Sequence, residues 1–373
     1  MELSNEDNLR LNVLLRQNLK AVRVDESRMI VYGLTDKGEA KIQLNPTCKE
    51  EPYLRLVREV FSTYILGSPG GYPVYIRRWT RMGQARDEDS LENLLLLGEP
   101  EAVTAVVHAP ELSPEIAANA WWAYPSTENA RQLLATPAIA NSHLGPELAQ
   151  YLLEFLPFEE EAQAQIDSIR LILQPGLIDD ATVTKLWKNA RRKQNYYIGF
   201  LHTRPHTLPD ADTPHPLFQE VAGSLDALAI EHACARQLQH CLGASGQRFL
   251  KTAESVINKA SNQDTVVELM TAISHYHANI RPDDERYRRI EAITERTQSS
   301  DIDVFIAPVI EQLPMLEPQL RAMIGLSLVS EYLVAPVFGR TDAIGTVMRR
   351  KLEPVTTPLL SIMQTLNPTI AVK

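Results

Sequence analysis

The side chains in this sequence with the most reactive chemistry are two cysteines. Cys234 and Cys241 are seven residues apart, which would place both on one face of a helix, and His232 and His240 lie beside them in sequence. Thiolates and imidazoles bind zinc and serve as nucleophiles or bases. Metal sites on helices more often use ligands three or four residues apart, and the sequence contains no Cys-x-x-Cys pair. A thiol- or metal-dependent enzyme around Cys234 and Cys241 is therefore one alternative, and a pair of buried core cysteines is the other.

A second group of candidates is cationic and lies in the segment KLWKNARRKQNYY. Its cations near helical spacing are Lys185, Lys188, Arg191 and Arg192. Two tyrosines, residues 196–197, follow directly, and basic side chains beside aromatic ones suit single-stranded RNA. The basic helix 185–193 therefore suggests an RNA-linked post-transcriptional regulator. The alternative is a solvated face, or one that pairs with the acidic segment 158–167.

A third group follows the glycine-rich segment 67–71. That segment has no lysine and lies between a predicted helix and a predicted strand, so we expect a turn instead of a phosphate-binding loop. Arg77, Trp79 and Arg81 then form a candidate partner-binding surface, because tryptophan and arginine often dominate interface energetics. The alternative is that Trp79 packs against the next helix and the arginines pair with the acidic residues 87–89.

Motifs that would define a reaction are absent from the sequence. It contains no G-x-S-x-G, no H-E-x-x-H, no EF-hand loop and no Walker A pattern. We therefore predict no catalytic residue, no cofactor and no metal ligand, and we favour a protein that is not an enzyme.

Composition and charge limit the classes of partner and compartment. The 373 residues carry a net charge of −10, so binding to DNA is disfavoured, although a local basic patch could bind RNA. Three cysteines are too few for a disulfide framework and fit a reducing cytoplasm. The acidic start MELSNEDNLR does not resemble a secretory signal. The most apolar late segment, residues 322–339, contains Glu331 and Pro336, so we expect a buried helix and no membrane insertion.

The first 84 residues predict a small α+β domain. A helix is expected from Asp7, which could cap it, and a second helix over residues 50–66. Two apolar runs joined by the turn at residues 36–38 predict a β-hairpin. YPVYIRRWT, from Tyr72, alternates as a further strand should.

Residues 85–210 predict a helical-repeat domain. Three segments with matching apolar offsets begin at Pro114, Pro146 and Asp180, which are 32 and 34 residues apart. Prolines close the intervening apolar helices, because proline cannot continue a helix; these are Pro110, Pro137, Pro175 and Pro205. Paired helices at this period predict a mainly α fold, an α-solenoid-like (HEAT-like) array attached to the small N-terminal α+β unit.

The proline-rich segment 202–216 is the clearest predicted linker. Residues 211–373 then read as a C-terminal helical domain that packs continuously on the repeats. We therefore predict boundaries near residues 84 and 210.

The chain as a whole, and especially residues 1–44 and 57–87, resembles the DsrS family of sulfur reduction proteins. That family belongs to the dissimilatory sulfite reductase gene cluster of sulfur-oxidising bacteria. The resemblance implies a soluble cytoplasmic accessory protein of sulfur oxidation. Because a helical array exposes a long surface, we expect this protein to act as a scaffold or regulatory factor that binds protein partners of that machinery. It implies no catalytic residue that could be placed on this sequence.

Overall fold

Three strands near the N-terminus form an antiparallel sheet in the computed structural model, which describes residues 2–73 and 88–372. The strands, in the order β1-β2-β3, are β1 (Leu19–Asp25), β2 (Ile30–Thr35) and β3 (Gly38–Gln43). The β2–β3 pair confirms the predicted hairpin, and Gly38 closes its turn at φ +114°, a conformation that favours glycine. Strand β1 was not predicted, because its run LKAVRVD has no turn motif to set it apart.

The other elements with bounds in the described N-terminal part are helices. They are α1 (Asn5–Leu15), α2 (Glu50–Leu66), α3 (Glu88–Leu95), α4 (Pro100–Val107), α5 (Pro114–Ala123), α6 (Thr127–Leu134), α7 (Pro137–Ala140) and α8 (Leu144–Phe155). The core under the sheet is formed by apolar side chains of α1, α2 and the strands, among them Leu11, Val31, Val57 and Phe61. Burial of this continuous apolar face holds the small sheet, which could not be stable alone.

The predicted cap of α1 was wrong. Ser4 caps the helix, and its hydroxyl accepts a hydrogen bond from the Asp7 backbone N–H at 3.1 Å. Asp7 is fully buried, and its Oδ2 accepts hydrogen bonds from the Tyr53 hydroxyl at 2.5 Å and the Asn45 backbone N–H at 2.8 Å. Asp7 therefore joins α1 to α2 and to the end of the sheet, a role that its position in the sequence does not reveal.

The glycine-rich segment after α2 is a helix end, as predicted. Gly67 is the C-cap at φ +67° and donates its N–H to the Thr63 carbonyl. Residues 71–73 are helical, so the strand predicted from Tyr72 does not begin there. The remainder of that predicted strand, residues 74–80, lies outside the described residues.

The second half of the chain is helical. Its helices are α9 (Ala162–Ile172), α10 (Asp180–Ala190), α11 (Gln194–Thr203), α12 (Phe218–Glu231), α13 (Ala233–Leu242), α14 (Ala244–Lys259), α15 (Gln263–Tyr276), α16 (Ile290–Arg296), α17 (Ser300–Ile310), α18 (Glu317–Ser327), α19 (Ala335–Phe338) and α20 (Gly345–Leu366). Short 3-10 turns occur at Leu156–Phe158, Ala278–Ile280, Pro314–Leu316 and Glu331–Leu333. The fold is thus mainly α with a small N-terminal sheet, which confirms the predicted class.

The structure confirms the predicted repeat helices and the positions of three of the four prolines after helix ends. All three aligned segments form helices, α5, α8 and α10, and Pro110, Pro175 and Pro205 follow helix ends. Pro137 instead begins the short helix α7, where its missing N–H is not needed. The solenoid-like arrangement is not confirmed. Helix α11, for example, contacts α9, α10, α14 and α15, which is more than a nearest-neighbour stack.

The chain divides into two compact units, Met1–Phe155 and Leu156–Lys373. The predicted boundaries near residues 84 and 210 both fall inside these units. The predicted linker, residues 202–216, begins within the last two residues of α11, and from residue 204 to residue 217 the chain contains no helix or strand. This segment is tied to α13 and α14 by backbone hydrogen bonds from His215 to the Leu242 carbonyl and from Asp212 to the Ala244 carbonyl. In the part of the chain that the structure describes, no helix is long and apolar enough to cross a membrane.

Candidate functional site

Helix α10 presents the basic segment because its other face is fixed in the core. Asp179 caps the helix, and its Oδ1 accepts a hydrogen bond from the Thr182 N–H at 2.8 Å. The side chains of Val183, Leu186 and Trp187 are buried. The Trp187 indole donates to Asp210 at 2.7 Å, which fixes the rotation of α10 about its axis.

The outward face of α10 carries the cations that the sequence pointed to. Four of these residues form what we name the basic surface: Lys185, Lys188, Arg191 and Arg192. All four are exposed, and none of them forms a salt bridge within the described residues. The predicted pairing with the acidic segment 158–167 is therefore not present among those residues. Arg191 is the C-cap of α10, and Arg192 follows it. At this position a positive charge interacts favourably with the negative end of the helix dipole.

The two tyrosines after the basic surface do not offer stacking faces. Only 4% of the Tyr196 surface and 9% of the Tyr197 surface are exposed to solvent. Tyr197 packs edge-on against Trp187, with ring centroids 4.7 Å apart. Burial raises the pKa of the Tyr197 hydroxyl, and the nearby Arg191 opposes that shift. The aromatic half of the pattern that suggested single-stranded RNA is therefore part of the core.

The second predicted interaction surface falls outside the described residues. Arg77, Trp79 and Arg81 all belong to the segment 74–87. Their role as a partner-binding surface stays a prediction.

Both candidate thiols are buried on α13. Cys234 and Cys241 share the inward face, as their spacing predicted, with 3% and 0% of their surface exposed. Burial raises the pKa of each thiol to about 12. A protonated, inaccessible thiol is a poor nucleophile and a poor metal ligand.

Cys241 has a partner that sequence reasoning missed. Its Sγ lies 3.5 Å from Nε2 of His277, a fully buried histidine at the end of α15. The His277 Nδ1 is 2.9 Å from the Ile273 carbonyl, so Nδ1 carries the proton and Nε2 accepts from the thiol. Burial lowers the pKa of His277 to about 4. The pair is therefore a neutral thiol and a neutral imidazole, whereas a nucleophilic pair needs thiolate and imidazolium.

Metal-binding geometry is not found in the described ranges 2–73 and 88–372. No group of three or more histidine, cysteine, aspartate or glutamate side chains there is placed to hold a metal ion. His232 and His240, next to the two cysteines in sequence, do not join such a group.

The N-terminal unit contains a cleft that sequence reasoning also missed. It has a volume of about 490 Å³ and lies between β1, the start of α4 and the loop after α5. We name it the Glu99 cleft after the carboxylate at its edge. Gly98 and Pro100 flank Glu99, but only the tertiary approach of β1 turns this helix start into the wall of a cleft.

An arginine stack borders the same cleft. Arg23 lies over the rings of Tyr32 and Trp122, at 4.7 and 4.8 Å from their centroids. Its guanidinium also bonds to Glu39 at 3.2 Å, and the Trp122 indole donates to the same carboxylate. The positive charge of Arg23 is paired with the negative charge of Glu39, and the two rings hold the guanidinium in place. These contacts fix β1 against α5.

No protein-family model, no curated protein and no solved structure matches this chain.

Proposed function

We propose that this protein is a non-enzymatic accessory factor whose basic surface on α10 binds an acidic surface of a protein partner. The observation that carries the proposal is the exposure of Lys185, Lys188, Arg191 and Arg192 without a carboxylate partner in the described part of the chain. Elsewhere many cations are paired, for example Arg296 with Asp283 at 2.8 Å and Arg321 with Asp303 at 2.6 Å.

Electrostatics favours this use of the surface. Four like charges close together raise the free energy of the isolated protein, and an acidic partner relieves that repulsion. Such charge complementarity raises association rates and selects among partners. The helix that carries the charges is fixed by the buried Trp187, so little conformational entropy is lost when a partner binds.

The biological context of the proposal comes from the resemblance of residues 1–44 and 57–87 to the DsrS family. On that basis we place the protein in the cytoplasm, as a regulatory or assembly factor that binds proteins of the sulfur-oxidation machinery. Arg77, Trp79 and Arg81 are a second proposed contact with a partner.

RNA is the second candidate ligand for the same surface. Phosphate groups would satisfy the four cations as well as carboxylates would. The burial of Tyr196 and Tyr197 removes the stacking faces that a single-stranded ligand would use, so the acidic protein is favoured. The buried neutral thiols Cys234 and Cys241 give little support to a thiol-dependent enzyme.

The test is a charge-reversal variant of the whole basic surface. Lys185→Glu, Lys188→Glu, Arg191→Glu and Arg192→Glu combined should reduce recovery of protein partners from the native host lysate by at least about tenfold. The matched control reverses four other exposed cations that form no salt bridge in the described residues, Arg288, Arg289, Arg340 and Arg350. Both variants change the net charge by the same amount.

Partner recovery that falls in the first variant and not in the control supports the proposal. Equal recovery in both variants contradicts it. Nuclease treatment separates the two ligand classes, because loss of the interaction after ribonuclease digestion would favour RNA.

A further inference from the structure

The Glu99 cleft contains one carboxylate that forms no salt bridge with the described residues. Asp25 accepts hydrogen bonds from the Ser27 hydroxyl at 2.8 Å and the Arg28 backbone N–H at 3.1 Å. Glu26 forms an ion pair with Arg58, and Arg23 pairs with Glu39. Among the described residues, Glu99 has no salt bridge and accepts a single hydrogen bond, from the Tyr72 backbone N–H at 2.9 Å.

The position of Glu99 follows from its neighbours in the chain. Gly98 has φ +65°, and a Cβ there would lie 3.0 Å from Val24 Cγ2, so only glycine brings this backbone so close to β1. Glu99 is the N-cap of α4, but its side chain makes no cap hydrogen bond and is partly buried. Burial raises the pKa of the Glu99 carboxyl, although the Tyr72 N–H and Arg58 oppose the shift.

The rest of the lining has a charged part and an apolar part. Arg23, Asp25, Glu26 and Arg28 form the charged part, in which each carboxylate lies within 4 Å of an arginine. Val24, Val103 and Pro100 line one part of the cleft, and Tyr124 and Pro125 line another. Tyr124 is 39% exposed. A carboxylate without a salt bridge to the described residues, apolar side chains and an aromatic ring in the lining of one cleft have the composition of a site for an ammonium group on an alkyl stem.

We propose that the Glu99 cleft binds a primary alkylammonium group, with the Glu99 carboxylate as its ion-pair partner and Tyr124 and Pro125 beside its stem. An ammonium group suits this carboxylate better than a guanidinium does. Oε2 already accepts from the Tyr72 N–H, so Oε1 is the carboxylate oxygen without a hydrogen bond from the described residues, and one such oxygen suits a point charge better than a two-pronged donor. The cleft volume of about 490 Å³ exceeds what one lysine side chain needs, which leaves room for flanking groups. This inference concerns the N-terminal unit and does not depend on the proposed function.

Two probes distinguish the possible sources of the ammonium group. One is N-acetyl-lysine methylamide, which represents a free small amine. The other is an eight-residue peptide of glycine and serine with one central lysine, which represents a lysine of a protein segment. The same peptide with norleucine in place of lysine tests whether the charge is needed.

The variants are chosen so that the fold is retained. Glu99→Gln keeps an oxygen for the Tyr72 N–H and removes only the charge, and Tyr124→Ala removes the aromatic wall. Glu115→Gln, which alters an exposed carboxylate at the start of α5 outside the cleft, is the matched control. Circular dichroism and the urea midpoint check that each variant folds.

Calorimetry of the full chain gives the result. We expect at least one lysine-containing probe to bind to the wild-type protein. Glu99→Gln should weaken that binding at least about tenfold, Tyr124→Ala about threefold to tenfold, and Glu115→Gln should leave it unchanged. Stronger binding of the peptide than of the small amide would assign the ligand to a protein segment, and equal binding to a free amine. The proposal is overturned if neither lysine probe binds at millimolar concentration, if the norleucine peptide binds equally well, or if folded Glu99→Gln binds as wild type does.

Discussion

At the scale of single residues, the sequence identified reactive side chains but not their environments. The spacing of Cys234 and Cys241 correctly placed both on one face of α13. The partner of Cys241 is His277, 36 residues further along the chain, and only the packing of α13 near the end of α15 brings them together. Glu99 was missed for the same reason, since its neighbours in the cleft come from β1 and the loop after α5.

The burial of His277 predicts a pH-dependent stability. Its pKa is about 4 in the folded protein and 6.5 in a free chain, so the unfolded state binds the proton more readily. The stabilising contribution is complete above pH 6.5 and is lost as the pH falls toward 4, by up to about 3 kcal/mol. In urea titrations between pH 7 and pH 4.5, His277→Gln should show a shallower loss of stability than wild type.

The control for that measurement is His143→Gln, which alters an exposed histidine and should leave the slope unchanged. Other buried or partly buried histidines, such as His215, add a slope of the same sign in every variant. An unchanged slope in folded His277→Gln would show that the imidazole is already protonated or solvated in the native state.

The two cysteines of α13 should be unreactive in the folded protein. Burial raises both pKa values to about 12, so an aromatic disulfide reagent at pH 8 should label Cys48, which is partly exposed, before Cys234 and Cys241. Mass spectrometry after limited labelling identifies the modified thiol. Rapid modification of Cys241 in native protein would restore the thiol-enzyme alternative.

At the scale of elements, helix positions were well predicted and their packing was not. Proline starts, cap residues and apolar periodicity are local signals, and they placed α2, α5 and α10 correctly. The cap of α1 was assigned to Asp7 instead of Ser4, because a buried aspartate and a capping aspartate have the same local sequence pattern. The tertiary contact with Tyr53 decides between them.

Two helical glycines give a paired test of element packing. Gly199 on α11 faces α9, where an added Cβ would overlap the Ile169 side chain and lie 3.3 Å from the Arg170 backbone nitrogen. Gly199→Ala should therefore destabilise the protein by about 1–3 kcal/mol. Gly223 on α12 has no atom within 4 Å of its Cβ position, so Gly223→Ala should stabilise it by about 0.5–1 kcal/mol.

Urea unfolding of both variants beside wild type measures the two effects. Opposite shifts of the midpoint are the expected result. A stabilising shift in Gly199→Ala would mean that α11 does not approach α9 so closely.

At the scale of the whole molecule, the fold class followed from the sequence and the arrangement of helices did not. The 32- and 34-residue spacings suggested a solenoid, but that period fixes only where helices recur along the chain. Contacts such as those of α11 with α14 and α15 depend on side chains far apart in sequence. The net charge of −10 likewise does not show that four exposed cations lie on α10 and at its C-terminal end without a salt bridge to the described residues.

The central claim is that this basic surface binds an acidic protein partner, and site-specific crosslinking tests it most directly. A photo-crosslinking amino acid replaces the exposed Asn189, between Lys188 and Arg191, and in a second protein the exposed Gln298 as a control. In intact host cells we expect crosslinking to one defined protein from position 189, through a peptide rich in aspartate and glutamate. That product should be insensitive to ribonuclease, should be lost when the four surface cations are reversed, and should be absent from position 298. Equal products from both positions, or an undiminished product after charge reversal, would contradict the account.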